Sequence, residues 1–221
     1  MSTSRAGLFL DLDGTLADSL SVMRAAYDRF LERFGRTGSD DEFARLNGPR
    51  LAEVIKDIAG THGIDASIAD LLGTYMGLVE DAYRNVAPSA GAIDLLRTAQ
   101  AHDMTIGVVT SNTETLTRTW LRTVGLFPMV HIIVSGDDIK CGKPDPEPYL
   151  KALSQSGCEA SISLAVEDSI LGARSAVAAG IPTLLLSGSP LAITLEATVI
   201  DHLDRVAELL AGRKLMTGEH R

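Results

Sequence analysis

The stretch GLFLDLDGTL, residues 7–16, decides the fold of this 221-residue chain. A short apolar run cut off by acids and a glycine is typical of a buried parallel strand that ends in a functional loop, so we predict the first strand over 7–11. Similar runs recur at 105–109 (TIGVV), 131–134 (HIIV), 162–166 (ISLAV) and 183–186 (TLLL). Helical patterns lie between them, and strands alternating with helices predict a doubly wound parallel sheet of the α/β class.

The alternation is interrupted between residues 19 and 86, where only helical patterns occur. Helices are predicted over 19–34, over 51–59 with Gly60 as the stop, and over 67–85. A capping box at Ser39 and Glu42 predicts the start of a further helix between the first two. We therefore predict a Rossmann-like core domain of residues 1–16 and 87–221, with an inserted helical cap domain of residues 17–86. In the core, Thr113, Asp145 and Ser169 are expected as helix N-caps.

The charge balance and the short apolar runs argue against two classes of partner. Twenty Lys and Arg against twenty-nine Asp and Glu give a net charge of −9, whereas proteins that bind nucleic acid are normally basic. No apolar run approaches the roughly 20 residues of a bilayer crossing, and acids interrupt the N-terminal run too early for a signal peptide. We therefore expect a cytoplasmic protein with no nucleic-acid or membrane partner. Its oligomeric state is open, and a monomer is compatible with the sequence.

Two acids follow the first strand, with one residue between them. If the backbone turns at Asp13 and Gly14, then Asp11 and Asp13 point into one pocket at the carboxyl edge of the sheet, where such sheets bind ligands. Paired acids at that edge suggest hard-cation binding, covalent catalysis or proton transfer. The alternative is a simple acidic turn.

Three later segments supply groups that a phosphate reaction needs. Thr110, Ser111 and Asn112 precede a helix whose N-terminal amides favour an anion, although hydroxyls there are often plain caps. Lys143 lies in a stiff Gly/Pro loop ahead of another helix, with a solvated surface lysine as the alternative. Glu167 and Asp168 form a second acidic pair at a strand end, where they could instead cap the next helix.

In this order, these segments resemble the four motifs of the haloacid dehalogenase superfamily, most of whose members are phosphatases. The matching segments are DLDGTLADS (11–19), VVTSN (108–112), GKPDPEPYL (142–150) and VEDSILGARSAVAAGIPT (166–183). The resemblance covers most of the chain, from residue 8 to about residue 182. The helical insertion stands where family members with a helical cap carry theirs.

The resemblance implies a Mg2+-dependent phosphatase that acts on a small phosphorylated metabolite through an aspartyl-phosphate. Asp11 would be the nucleophile and Asp13 the general acid and base. The 110–112 turn, mainly Thr110 and the Ser111 amide, would bind the phosphate, and Lys143 would neutralise its charge. Mg2+ would be held by Asp11, the Asp13 carbonyl, Asp168 and, directly or through water, Glu167.

Two other functions are weighed against hydrolysis. Family members resembling β-phosphoglucomutase transfer phosphoryl groups between sugar phosphates and carry a His four residues beyond the hydroxyl residue that ends the first motif. That count from Ser19 reaches Met23, which is expected to be a packing residue, and hydrolysis is therefore favoured. A binding module that keeps the fold without catalysis is disfavoured by the complete set of motif residues.

One residue of the insertion is a candidate for substrate recognition. Arg50 follows the loop 47–49 and precedes a predicted helix. It is expected to bind a second anionic or hydroxyl-bearing part of the substrate, although a surface arginine at a helix start is an equal alternative.

Overall fold

The structure, a computed structural model, describes residues 4–186 and 196–216. The strands are β1 (Gly7–Leu10), β2 (Thr105–Val109), β3 (Ile132–Val134), β4 (Leu164–Glu167), β5 (Thr183–Leu186) and β6 (Ala197–Ile200). They form one sheet in the order β3-β2-β1-β4-β5-β6, and every neighbouring pair is parallel. The predicted α/β class with a doubly wound parallel sheet is confirmed.

Strand β1 lies inside the sheet and is buried along its whole length. Leu8 and Leu10 pack with Val108 of β2 in one hydrophobic cluster, whereas Phe9 packs with Ala165 of β4 in another. Successive strand residues point to opposite faces, so a strand covered on both faces reads as a continuous apolar run. This burial explains why the GLFL run was recognisable in the sequence.

Helices cover both faces of the sheet. The helices are α1 (Leu20–Glu32), α2 (Asp40–Leu46), α3 (Leu51–His62), α4 (Ile68–Tyr83), α5 (Ala92–Ala101), α6 (Glu114–Thr123), α7 (Glu147–Ser156), α8 (Ile170–Ala178) and α9 (Leu203–Met216). Helices α5 and α9 pack on each other, and α5 contributes to the cluster of Leu8 and Leu10. Helices α7 and α8 contribute to the cluster of Phe9 on the other face.

Helices α1 to α4, called the helical insertion below, follow β1 without an intervening strand. The Ser39 side chain accepts from the Glu42 N–H, as half of a capping box requires. The Glu42 carboxylate does not complete the box, because it accepts from the buried Tyr27 hydroxyl at 2.5 Å instead. The insertion is helical as predicted. The division into a core domain of residues 1–16 and 87–221 and a cap domain of residues 17–86 stays a prediction. Residues 1–3, 187–195 and 217–221 of the predicted core domain lie outside the described residues.

Most predicted boundaries lie within two residues of the observed ones, and three of the differences have a clear position in the structure. Helix α3 continues through Gly60 and ends before Gly63, which has a φ of 60°. No atom of the described residues lies within 4 Å of the position that a Cβ of Gly60 would take. This glycine is therefore open to solvent, and it costs the helix only its low helix propensity, about 1 kcal/mol. Helix α7 has Pro146 rather than Asp145 as its N-cap, and β4 begins at Leu164 rather than at residue 162.

Strand β6 is absent from the predicted strands. Among the described strands it pairs only with β5, at the edge of the sheet, and Thr198 and Val199 are exposed. An edge strand that buries so little has a weak apolar pattern. Among the described residues, no helix is both long and apolar enough to cross a membrane.

Candidate active site

The predicted site residues meet at the carboxyl edge of the sheet. Asp11 directly follows β1, and its N–H donates to the Val166 carbonyl of β4 at 3.0 Å. Thr110 directly follows β2, and its N–H donates to the Val134 carbonyl of β3 at 2.9 Å. Since these strands are adjacent and parallel, the residues that follow them lie at one edge.

Lys143 is buried between two carboxylates. Its Nζ lies 2.5 Å from Asp11 Oδ1 and 2.6 Å from Glu167 Oε1, and it donates to the Val109 carbonyl at 3.1 Å. The residue is only 3% exposed, which excludes the alternative of a solvated surface lysine. The Tyr149 hydroxyl, from α7, donates to the same Glu167 oxygen.

Three carboxylates form a cluster around this lysine. One oxygen each from Asp11, Glu167 and Asp168 lies within 4.8 Å of the others. Among the described residues, three buried side-chain atoms lack a hydrogen-bond partner, and two belong to this cluster: Glu167 Oε2 and Asp168 Oδ1. The third is Thr15 Oγ1. When all three carboxylates are ionised, one ammonium group leaves two negative charges unmatched, and clustered oxygen donors with that charge suit a hard divalent cation.

Burial and the neighbouring charges shift the pKa values of Asp11, Asp168 and Lys143. Burial is the main cause that raises the pKa of Asp11 well above its ordinary value; the Lys143 ammonium opposes it. Burial, followed by the charge of Glu167, raises the pKa of Asp168 to about 7. Burial by itself lowers the pKa of Lys143, but Asp11 and Glu167 outweigh it, so this pKa lies above its ordinary value.

Asp13 has different surroundings from Asp11. The Ser19 hydroxyl donates to Asp13 Oδ1 at 2.7 Å, the Tyr83 hydroxyl donates to the same oxygen, and Asn112 Nδ2 lies 3.2 Å from Oδ2. All three donors are neutral, whereas Asp11 faces an ammonium group. The two acids therefore have separate environments, which is the usual way in which one site keeps a nucleophile and an acid distinct.

Gly14 makes the turn that separates the two acids. Its φ of 73° lies in the left-handed region, and its N–H donates to the Ala17 carbonyl at 3.0 Å. A Cβ at this position would also clash with the Asp168 carboxylate. The predicted turn at Asp13 and Gly14 is therefore present, and only glycine fits there.

The turn after β2 contacts both the acid and the insertion. Thr110 Oγ1 accepts from the Asn112 N–H at 3.0 Å, and both residues are buried. Asn112 reaches Asp13, as described above, and the Ser111 hydroxyl donates to the Gly48 carbonyl of the insertion. Phosphate binding by Thr110, Ser111 and Asn112 stays a prediction.

Two further side chains join the insertion to the core. Asn47 Nδ2 donates to Asp168 Oδ2 at 2.9 Å. Arg50 Nη1 donates to the carbonyls of Ile139 and Lys140 at 2.8 and 2.7 Å. The structure thus places the Arg50 guanidinium on a core loop, and its predicted contact with substrate stays a prediction.

A cavity of about 70 Å3 lies beside Asp13, between the insertion and the turn after β2. All four helices of the insertion and the loop between α2 and α3 contribute residues to its lining. Met23 of α1 is one of these residues. Met23 is also packed against the hydrophobic core, in agreement with its expected role as a packing residue.

Sequence reasoning missed three residues of this site. Tyr149 belongs to the third motif, and Asn47 to the loop that precedes Arg50, so both lay close to residues already under consideration. Tyr83 lies 70 positions from Asp13 at the end of α4, and no pattern in the sequence connects the two.

Comparison with known proteins agrees with the motifs. The sequence profile of a family described as haloacid dehalogenase-like hydrolase matches residues 8–186. The chain is 32% identical to the validoxylamine A 7'-phosphate phosphatase of Streptomyces hygroscopicus subsp. limoneus, over 77% of this chain and 80% of that protein. It is 29% identical to phosphoglycolate phosphatase 1 of Pseudomonas aeruginosa, over 92% of this chain and 81% of that protein.

The fold has close counterparts among solved structures. CbbY from Rhodobacter sphaeroides, crystallised in complex with phosphate, superposes with a TM-score of 0.79 over 92% of this chain and 96% of that one. The identity is 22%, so this likeness concerns the fold alone.

Proposed function

The chain belongs to the haloacid dehalogenase-like hydrolase family, and we propose that it is a Mg2+-dependent phosphatase that hydrolyses a small phosphorylated metabolite through an aspartyl-phosphate on Asp11. The family and the phosphatases among its relatives confirm the prediction of a phosphoric monoester hydrolase. The metal, the intermediate, the substrate and a cytoplasmic location belong to the proposal.

The observation that carries the proposal is the different environment of the two acids. Asp11 is buried 2.5 Å from the Lys143 ammonium, whose charge favours the carboxylate form that attacks phosphorus and so opposes the effect of burial. Asp13 accepts hydrogen bonds from Ser19, Tyr83 and Asn112, all uncharged donors, so it can exchange a proton without leaving its place.

The chemistry then proceeds in two steps. An Asp11 oxygen bonds to phosphorus, the bond from phosphorus to the ester oxygen breaks, and Asp13 gives its proton to the leaving alkoxide. Asp13 next takes a proton from water, whose oxygen attacks phosphorus. The bond from phosphorus to Asp11 breaks, and inorganic phosphate leaves with Asp11 restored as a carboxylate.

The acidic cluster fits the proposed cation. Glu167 Oε2 and Asp168 Oδ1 are buried without partners, and Asp11 completes a set of oxygen donors, with the Asp13 carbonyl as the fourth predicted ligand. When bound, Mg2+ supplies positive charge that offsets the repulsion between these carboxylates and the phosphate dianion.

Hydrolysis is favoured over phosphoryl transfer between sugars by the residue at position 23. Met23 lines the cavity beside Asp13, so this position does face the candidate site. A thioether neither gives nor takes a proton under ordinary conditions, whereas a His at this position could do so.

The test is phosphate release from a panel of sugar and short-acid phosphates, with Mg2+ and with EDTA. We expect turnover that needs Mg2+, is lost in Asp11→Asn, and leaves a phosphoryl group on Asp11 detectable by mass spectrometry after rapid quench. Turnover that survives Asp11→Asn or EDTA would contradict the mechanism. Isomerised sugar phosphate from β-glucose 1-phosphate and a bisphosphate primer would indicate a mutase. Binding of Mg2+ without any turnover would indicate a binding module.

A further inference from the structure

We propose that the cavity beside Asp13 receives a small, uncharged leaving group with an apolar body, so that the substrate is the phosphate monoester of a neutral alcohol. The inference rests on the proposed function, because a leaving group is defined only if Asp13 acts as its acid. It adds the chemical class of the substrate, which the family does not determine.

The lining of the cavity is mostly apolar. Each helix of the insertion contributes to it: Leu20 and Met23 from α1, Phe43 and Leu46 from α2, Val54 from α3 and Tyr75 from α4. Tyr75 adds one neutral hydroxyl. Among the described residues that line the cavity there is no Lys, Arg or His.

Three polar side chains of the lining already donate to partners within the protein. Asn47 Nδ2 donates to Asp168, Asn112 Nδ2 donates to Asp13, and the Ser111 hydroxyl donates to the Gly48 carbonyl. These three donors hold the insertion, the acidic cluster and Asp13 together. A carboxylate or second phosphate in the cavity would find only neutral side-chain donors among the described lining residues: the Tyr75 hydroxyl and the second amide hydrogens of Asn47 and Asn112.

Charge acts in the same direction. Asp13 is the only carboxylic acid among the described lining residues, and once it has given its proton to the leaving group it faces an anionic product with no lining cation between them. The Arg50 guanidinium does not line the cavity, because it donates to the carbonyls of Ile139 and Lys140. An anion there is therefore both repelled and deprived of a counter-charge.

The size of the cavity restricts the leaving group further. Its volume of about 70 Å3 is a few times the roughly 10–15 Å3 that a cavity needs to hold one water molecule, so it has room for a small group only. This suits a short alkyl or cycloalkyl alcohol, and a larger leaving group needs the insertion to move away from the core.

The deciding experiment compares n-butyl phosphate with phosphoglycolate in the wild-type protein with Mg2+. Their leaving groups have the same number of non-hydrogen atoms, but glycolate carries a carboxylate. Glycolate is also the more acidic alcohol, so intrinsic reactivity favours phosphoglycolate and a reverse preference reports the cavity. We expect kcat/KM to be at least about tenfold higher for n-butyl phosphate, a difference of about 1.4 kcal/mol.

The outcomes separate this inference from the proposed function. Equal or faster Mg2+-dependent hydrolysis of phosphoglycolate overturns the inference and leaves the phosphatase mechanism standing. If the protein hydrolyses neither ester and no other phosphate of the wider panel, both the inference and the proposed function are overturned. A cation placed in the lining by Met23→Lys should move the preference about tenfold towards phosphoglycolate. Leu46→Lys supplies the same charge from α2 if Met23→Lys does not fold, and an unchanged preference in a folded, active variant contradicts the role of the cavity.

One variant distinguishes the inference from the predicted role of Arg50. If Arg50 binds an anionic part of the substrate, then Arg50→Gln lowers kcat/KM for phosphoglycolate selectively. If the lining of the cavity sets the preference between the two esters, Arg50→Gln changes kcat/KM for both esters by the same factor. The selective loss would assign anion recognition to Arg50 and overturn the inference.

Discussion

Replacing Lys143 by methionine removes one buried charge while keeping the length of the side chain. The Nζ lies 2.5 Å from Asp11 Oδ1 and 2.6 Å from Glu167 Oε1, and all three side chains are buried. Removing one partner of a buried ion pair leaves an uncompensated charge and typically costs about 3–5 kcal/mol. We expect the free energy of unfolding in EDTA to fall by about that amount, as measured by urea denaturation followed through the fluorescence of Trp120, the single tryptophan.

The effect on catalysis should be larger than the loss of one hydrogen bond. A carboxylate and a phosphate about 4 Å apart repel by about 4 kcal/mol per pair of charges at an effective dielectric constant of about 20. Losing the cation that offsets one such pair lowers kcat/KM by about a thousandfold. The assay is phosphate release with saturating Mg2+ on the best substrate of the panel.

Lys151 provides the matched control. Its Nζ lies 3.5 Å from Asp138 Oδ1, but both side chains are about a third exposed, so the pair contributes at most about 1 kcal/mol. Lys151→Met should therefore keep kcat/KM within about fivefold of the wild type. The reasoning is refuted if Lys143→Met with Mg2+ retains kcat/KM within tenfold of the wild type, or if both lysine variants behave alike.

Two other predictions follow from the same site. Tyr83→Phe removes one of two hydroxyls that donate to Asp13 Oδ1, so kcat should fall about tenfold or more while KM changes little. Tyr27→Phe, which removes a hydroxyl from Glu42 in the insertion, serves as the control, and an equal loss of kcat in both variants would count against positioning of Asp13. Mg2+ should raise the melting temperature relative to EDTA, because we propose that it binds the three clustered carboxylates, two of them on buried residues, in the folded state. At about 100 times its Kd the gain is about 2.7 kcal/mol, or roughly 5–10 °C in a thermal-shift assay, and an Asp168→Asn variant should lose most of it. Equal melting temperatures of the wild type in the two buffers would be inconsistent with a metal in this cluster.

Most of the fold was predictable because its core strands are buried on both faces. Burial of β1, β2 and β5 demands apolar side chains at successive positions, and such runs stand out in a sequence. The edge strand β6 makes no such demand, so it carries no comparable signal. The predicted end of α3 at Gly60 was wrong because a solvent-facing glycine inside a helix looks the same in sequence as one that ends the helix.

The insertion was predictable as helical but not in its contacts. The periodicity of an amphipathic helix shows which face is buried, without showing what the face meets. Asn47, Ser111 and Arg50 connect the insertion to the core through pairs that are 63 to 121 residues apart in the chain. Only the packing of the helices on the sheet brings these partners together.

By itself, the sequence determined the class of the sheet and the positions of Asp11, Asp13, Lys143, Glu167 and Asp168 at the edge where it binds ligands. It could do so because strand ends are local features, and the topology of a parallel sheet gathers its carboxyl ends at one edge. The tertiary structure decided how those groups pair: Lys143 lies between Asp11 and Glu167, and Tyr83 contacts Asp13 from a distant helix. It also decided that the cavity beside Asp13 is apolar and lacks a cation among its described lining residues. Pairing and cavity lining depend on distances between segments remote in the chain, and tertiary packing sets those distances.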